Sequence, residues 1–175
     1  ALVVSFELNP LVGFAAIQHA RKQGITTLCN PAPATEIPDD VLSCIDYLVP
    51  NLSEAAQIVD ALGADLREPA DIARYLLGRG VGTVIITLGA NGVYLDDGQG
   101  GAFLPAVLAN KVVDTTGAGD SFVGAFTSAL VKGAQASEAV SYAMRVAAMT
   151  VERAEVVPSL PYAESLMEKS GMGND

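Results

Sequence analysis

The chain alternates between short apolar runs and longer amphipathic runs. Apolar runs rich in β-branched residues predict four strands, at residues 2–6, 25–29, 46–50 and 81–89. Apolar residues at helical spacing predict five helices: over 10–23, from a cap at Ser53 to about Leu62, over 69–77, from near Gly119 to Lys132-Gly133, and from Ser137. A short helix is also expected in the tail from Pro161. The pattern is typical of an α/β protein.

Two neighbouring segments, NGVYLDD (91–97) and GGAFLPA (100–106), predict a hairpin, because turn residues separate two alternating apolar runs. Elsewhere the β-α-β-α order and the continuous apolar strands indicate a mostly parallel sheet between layers of helices. Residues 1–175 are therefore interpreted as a single α/β domain of the three-layer α/β/α, Rossmann-like kind.

Four turns carry the residues of chemical interest, and each follows a run interpreted as a strand. They are NPAPA (30–34), PNLSE (50–54), TLGANG (87–92) and DTTGAGD (114–120). In parallel sheets ligands bind beyond the carboxyl ends of the strands. We therefore expect these turns to gather along one edge.

Composition narrows the classes of function. The formal net charge of −10 disfavours a nucleic-acid partner. No apolar run reaches the roughly 18 residues that a bilayer requires, and no signal peptide opens the chain, so we expect no membrane contact and a cytoplasmic location. Cys29 and Cys44 lack metal-site spacing. His19 is the only histidine, which leaves acid–base chemistry to carboxylates.

The DTTGAGD turn predicts an anion-binding site. Its glycines let backbone N–H groups converge, and the helix that follows adds the positive end of its dipole. The lysine of a phosphate-binding P-loop is absent. Asp120 would repel a phosphate unless it accepts the proton of a substrate hydroxyl while the N–H groups hold the phosphoryl group. The alternative is that Asp120 only caps the helix.

Two other turns carry weaker signals. In one interpretation, Asn51 forms the turn after a strand and Glu54 is favourable in the first turn of a helix. In the other, both side chains arrange water around Mg²⁺. Thr87 and Gly89 either let a nucleotide approach the backbone or simply form a turn.

Together and in this order, NPAPA, PNxxEA, TLGxxGV, DTTGAGDSFxGA and PSxP resemble the ribokinase-like (PfkB) family of carbohydrate kinases. The resemblance covers nearly all of this chain but only the C-terminal half or so of a family member. It implies the ribokinase-like α/β/α fold and transfer of the ATP γ-phosphate to a sugar hydroxyl, D-ribose first. The protein's partners would be a sugar and ATP, and the resemblance is compatible with a homodimer of the full-length protein.

The resemblance also implies roles for particular residues. Asp120 would be the general base, and the backbone of Gly117, Ala118 and Gly119 the anion hole. The ATP- and Mg²⁺-binding positions would be Asn51, Glu54, Thr87, Gly89 and Gly92, with Glu54 acting on Mg²⁺ through water. The K⁺-binding positions would be Asp114, Thr116 and Ser159.

The chain departs from the family in two places. Glu155-Val156 stands where ribokinase-like members commonly have a small Gly-Ala pair before PS, which bears on the K⁺ site. The N-terminal part, with the sugar-gripping residues and the lid, has no counterpart here. LVVSF follows Ala1 without a lead-in segment, so we expect a fragment. Other substrates (fructose, a nucleoside or a keto-deoxy sugar acid) and a non-catalytic nucleotide-binding role stay open.

Overall fold

The computed structural model describes residues 1–7 and 9–162, and it divides into two compact units. The first unit runs from Ala1 to Ala106, and the second begins at Val107. Each unit is described by itself.

A six-stranded sheet organises the first unit. Its strands lie side by side in chain order: β1 (Leu2–Ser5), β2 (Thr27–Asn30), β3 (Tyr47–Leu48), β4 (Thr83–Thr87), β5 (Val93–Asp96) and β6 (Ala102–Leu104). β1 to β4 pair in parallel, whereas β5 and β6 are added antiparallel. The predicted α/β class, the mostly parallel sheet and the hairpin are confirmed.

Four helices accompany this sheet. They are α1 (Pro10–Lys22), α2 (Asp39–Leu42), α3 (Leu52–Ala61) and α4 (Pro69–Gly78). Proline occupies the first position of both α1 and α4, where its missing N–H costs nothing. The core is formed by one face of the sheet and the buried sides of these helices, and its members include Val4, Leu48, Ile86, Ile58 and Leu76.

Successive residues of a strand face opposite sides of the sheet, and burial of both sides explains why the strands are apolar without interruption. Val84 and Ile86 belong to this core, whereas Ile85, on the opposite face of the same strand, is also fully buried. Strands that are buried on both faces carry continuous apolar runs.

The second unit contains two long helices that pack against each other, α5 (Ala118–Val131) and α6 (Ala136–Thr150). Phe122 and Phe126, one turn apart on α5, stack with ring centroids 6.4 Å apart. The buried positions of α6 include Ala139 and Ala143. Across residues 1–7 and 9–162, no helix has both the length and the apolar character that crossing a bilayer demands.

Some expected boundaries were wrong. α3 is capped by Asn51, with Ser53 inside the helix, because the Asn51 side chain bonds the backbone of Glu54. α6 begins at Ala136, one residue before the expected Ser137. DTTGAGD does not follow a strand: β6 ends at Leu104, and residues 105–117 contain no helix or strand. The helix expected in the tail from Pro161 lies largely outside the described residues, which end at Tyr162.

Thr27 joins two strands at the amino edge of the sheet. Its buried hydroxyl donates to the Cys44 carbonyl oxygen at 2.7 Å and accepts from the Asp46 amide at 2.9 Å. Its own amide donates to the Asp46 carboxylate at 2.8 Å. The side chain of Thr27 thus fixes the segment that leads into β3.

Thr27→Val should lower the free energy of unfolding by about 1–3 kcal/mol, because valine keeps the shape but leaves buried polar groups without a partner. Urea denaturation measures the change. Thr26→Val is the matched control, since Thr26 is exposed and adjacent. An equal loss in both variants would contradict this role of the Thr27 hydroxyl.

Candidate active site

Three of the four predicted turns lie along one edge of the first unit. β2, β3 and β4 run parallel, so their carboxyl ends lie at the same edge, and NPAPA, Asn51 and Thr87 lie at these ends. Asn51 and Thr87 form a parallel bridge, and the Thr87 amide donates to the Pro50 carbonyl at 2.9 Å. The structure therefore brings Asn51 and Thr87 together as expected.

Asn51 and Glu54 form a reciprocal capping box at the start of α3. The Glu54 amide donates to Asn51 Oδ1 at 2.9 Å, and the Asn51 amide donates to Glu54 Oε2 at 2.8 Å. These bonds satisfy amides that the helix itself cannot pair. A carboxylate has about four acceptor positions, so this arrangement orients Glu54 and leaves acceptor capacity for water bound to a metal ion.

Gly89 and Gly92 bracket a tight 3₁₀ turn, Gly89–Asn91, with φ angles of 58° and 94° that favour glycine. A Cβ on Gly92 would overlap the Leu104 carbonyl oxygen, so the backbone that approaches Gly92 is that of β6. Gly89 is exposed, and a Cβ there would meet nothing within 4 Å. Of the two glycines, Gly89 borders open space.

The second unit places Gly117 at the cap of α5. Gly117 has a left-handed φ of 78°, and no side chain makes a capping hydrogen bond there. Asp120 is the third residue of the helix and is exposed, so the alternative that Asp120 is the N-cap was wrong. The Ala118 amide donates to the Thr115 carbonyl at 3.2 Å. The helix start thus offers a positive dipole end with a carboxylate beside it.

Asp114 is held in the loop that leads to this cap. Its Oδ1 accepts the Thr116 hydroxyl at 2.7 Å and the Thr116 amide at 2.9 Å. These bonds, with a contribution from the Glu155 backbone, lower the pKa of Asp114 against a smaller opposing effect of burial. Asp114 is therefore ionised at neutral pH, and its hydrogen bonds favour the folded state until the pH falls through this lowered pKa.

The turn after α6 completes this region. Ser159 is buried and donates to the Val156 carbonyl at 2.7 Å. Glu155 has a φ of 68°, a left-handed conformation that costs most non-glycine residues energy. Val156 lies beside Gly117, where an added Cβ would be 3.0 Å from Val156 Cγ1. Residues 155 and 156 are where the sequence departs from the family pattern.

The candidate metal positions offer oxygen donors. In the part of the chain that the structure describes, no group of three or more His, Cys, Asp or Glu side chains is placed to hold a metal ion. Carboxylate and hydroxyl oxygens, supplemented by water or backbone carbonyls, suit hard cations. The side-chain oxygens of Asp114, Thr116 and Ser159 are of the type that binds a monovalent cation. The Glu54 carboxylate is of the type that binds Mg²⁺ through water.

Sequence reasoning missed some contacts that shape the loop ahead of α5. Val113 and Asp114 both donate their amides to the Val151 carbonyl, at 2.8 and 3.3 Å. Asn110 and Glu152 are joined by hydrogen bonds of 2.8 Å. No motif marks these residues, since they are 42 positions apart and neither belongs to a recognisable pattern.

The fold and the ordered set of turns define a class of protein. The sequence model described as "pfkB family carbohydrate kinase" matches residues 3–163, so the chain belongs to the pfkB family of carbohydrate kinases.

Individual relatives agree with this assignment. The chain is 39% identical to the ribokinase of Schizosaccharomyces pombe over 176 residues, which is 99% of this chain and 54% of that protein. A crystal structure of ribokinase from Thermotoga maritima matches with a TM-score of 0.85 and 32% identity, covering 95% of this chain and 55% of that one.

A structure of Arabidopsis thaliana ribokinase complexed with ribose and ATP matches with a TM-score of 0.87 and 27% identity, covering 98% of this chain and 55% of that chain. The chain thus spans about half the length of the relatives it matches.

Glu155→Gly should yield a more stable protein than Glu155→Ala, by about 1 kcal/mol. Both changes remove the glutamate carboxylate, but alanine keeps a Cβ and bears the steric cost of the left-handed φ, whereas glycine does not. The larger backbone entropy of glycine in the unfolded state offsets part of this advantage. Chemical denaturation of the two variants measures the difference. Equal stabilities would show that the conformation of Glu155 stores no strain.

Proposed function

We propose that this chain is the ATP-binding and catalytic part of a ribokinase-type sugar kinase. The reaction would transfer the γ-phosphoryl group of ATP to a hydroxyl of D-ribose, giving ADP and ribose 5-phosphate. Family membership and relatives named ribokinase support the reaction class. The observation that carries the proposal is the exposed Asp120 in the first turn of α5, next to a glycine cap at which no side chain makes a hydrogen bond.

Asp120 would act as the general base. A carboxylate within reach of the sugar hydroxyl accepts its proton as the oxygen attacks phosphorus. The first turn of α5 suits the other half of the task, because N–H groups at a helix start and the helix dipole stabilise negative charge on the phosphoryl oxygens. No side chain makes a capping hydrogen bond at Gly117.

The positions that we propose for ATP and Mg²⁺ lie in the first unit. Thr87, Gly89 and Gly92 lie in the turn assigned to the nucleotide, and Asn51 is bridged to Thr87. Asn51 and Glu54 would hold water around Mg²⁺, whose charge would neutralise the phosphates. Their mutual hydrogen bonds restrict Glu54 to one orientation.

Asp114, Thr116 and Ser159 would hold K⁺, which supplies positive charge beside the anion-binding turn. Asp114 contributes through its ionised carboxylate, and its bonds to Thr116 order the approach to Gly117. A cytoplasmic location and a homodimer of the full-length protein stay predictions.

Asp120→Asn should lower kcat by about 10²–10⁴-fold, because asparagine cannot accept the proton. Coupled-enzyme assays of ATP consumption with ribose and Mg²⁺, on the native full-length protein, measure kcat, and calorimetry should find nucleotide affinity nearly unchanged. Asp97→Asn, in the exposed hairpin turn, is the matched control. Near-normal turnover in Asp120→Asn would refute the base assignment. ATP binding without turnover in the wild-type protein would favour the non-catalytic alternative.

Among sugars, ribose should give the highest kcat/KM. The panel should include fructose, a nucleoside and a keto-deoxy sugar acid, because discrimination depends on hydrogen bonds to individual substrate hydroxyls. Competition assays at equal substrate concentrations measure the ratios of kcat/KM between substrates directly. A tenfold preference for another member of the panel would replace ribose while leaving the kinase class intact.

A further inference from the structure

The loop ahead of α5 has no regular structure of its own. Residues 105–117 lie between β6 and α5, and they include Asp114, Thr116 and Gly117. Backbone hydrogen bonds within a helix or sheet cannot fix such a segment, so its conformation depends on contacts with neighbouring segments. The neighbour that supplies these contacts within the second unit is the turn after α6.

This turn contacts the loop at successive points. The Asn110 amide and Asn110 Nδ2 both donate to Glu152 Oε1 at 2.8 Å. The amides of Val113 and Asp114 converge on the Val151 carbonyl. The Glu155 backbone lies near enough to the Asp114 carboxylate to help lower its pKa. The loop is therefore attached to the end of α6 from Asn110 through Asp114.

Glu152 supplies the side-chain part of this attachment. The other hydrogen bonds described between the turn and the loop use backbone groups of the turn, so among these bonds those to the Glu152 carboxylate depend on the identity of the residue. One charged oxygen receives two donors from a single residue, and hydrogen bonds to a charged acceptor are stronger than neutral ones. Asn110 is exposed and Glu152 half-buried, so the loss of this contact should cost little global stability.

We propose that Glu152 is a positioning residue, which acts through Asn110 to hold the Asp114–Gly117 loop in the conformation that places the start of α5 for phosphoryl transfer. The inference about catalysis rests on the proposed function. The inference about loop order does not, because it concerns contacts within the second unit.

The test compares Glu152→Ala with Glu152→Gln. Alanine removes the acceptor, whereas the carbonyl oxygen of glutamine can accept both Asn110 donors. Glu138→Ala is the matched control: Glu138 lies at the opposite end of α6, where its carboxylate accepts the Gln135 amide at 3.2 Å. Asn110→Ala, which keeps the backbone donor and loses Nδ2, provides a second route to the same contact.

The first measurement is hydrogen exchange at the Thr116 amide, followed by NMR in the protein without ligands. This amide donates to Asp114, so its exchange reports the order of the loop. Glu152→Ala should speed exchange about tenfold, Asn110→Ala less, and Glu152→Gln and Glu138→Ala little.

The second measurement is kinetic. Glu152→Ala should lower kcat about tenfold with a smaller change in KM for ATP, and Glu152→Gln should restore it, because misplacement of the phosphoryl-binding turn affects the transition state most. Unchanged Thr116 exchange in Glu152→Ala, or equal impairment of Glu152→Ala and Glu152→Gln, would overturn the proposal. If Glu152→Ala does not fold, Thr116 amide exchange in Asn110→Ala and Glu152→Gln tests the proposal instead. If the wild-type protein has no kinase activity, the proposed function fails while the exchange result stands.

Discussion

Parallel strand pairing is the constraint on which the rest of the first unit depends. A parallel neighbour cannot be reached by a tight turn, so each of β1 to β3 is followed by a crossover that contains a helix. The crossovers return the chain to the amino edge and leave the carboxyl ends of β1 to β4 on the opposite edge. Asn51 and Thr87, 36 positions apart in sequence, become neighbours through this geometry.

The same constraint made much of the fold predictable from the sequence. Apolar runs such as Thr83–Thr87 are buried on both faces, so their pattern is strong, and the hairpin after β4 carries clear turn residues. The boundary of α3 was misplaced because Ser53 and Asn51 are both good caps, and only the reciprocal bond with Glu54 selects Asn51. The sequence NLSE contains this signal, since the cap and its glutamate are three residues apart.

The second unit was less predictable for a physical reason. The residues before Gly117 are ordered by contacts with a turn about 40 positions later, and such contacts follow no period or short motif. The left-handed conformation of Glu155 was not predicted, although the resemblance places a glycine at this position and glycine is the residue that such a conformation favours. Asp120 and Gly117, by contrast, were evident from the DTTGAGD sequence, although the helix cap proved to be the glycine.

The contact of Gly92 with the backbone of β6 has a practical consequence for engineering. It ties the turn at the end of β4 to Leu104, so the length of the two hairpin arms between them is set. Between the arms, Gly98 and Gly100 are exposed, and an added Cβ at either would meet nothing within 4 Å. An inserted reporter or affinity tag would therefore be tolerated best at the tip of this hairpin, where it leaves the strand register undisturbed.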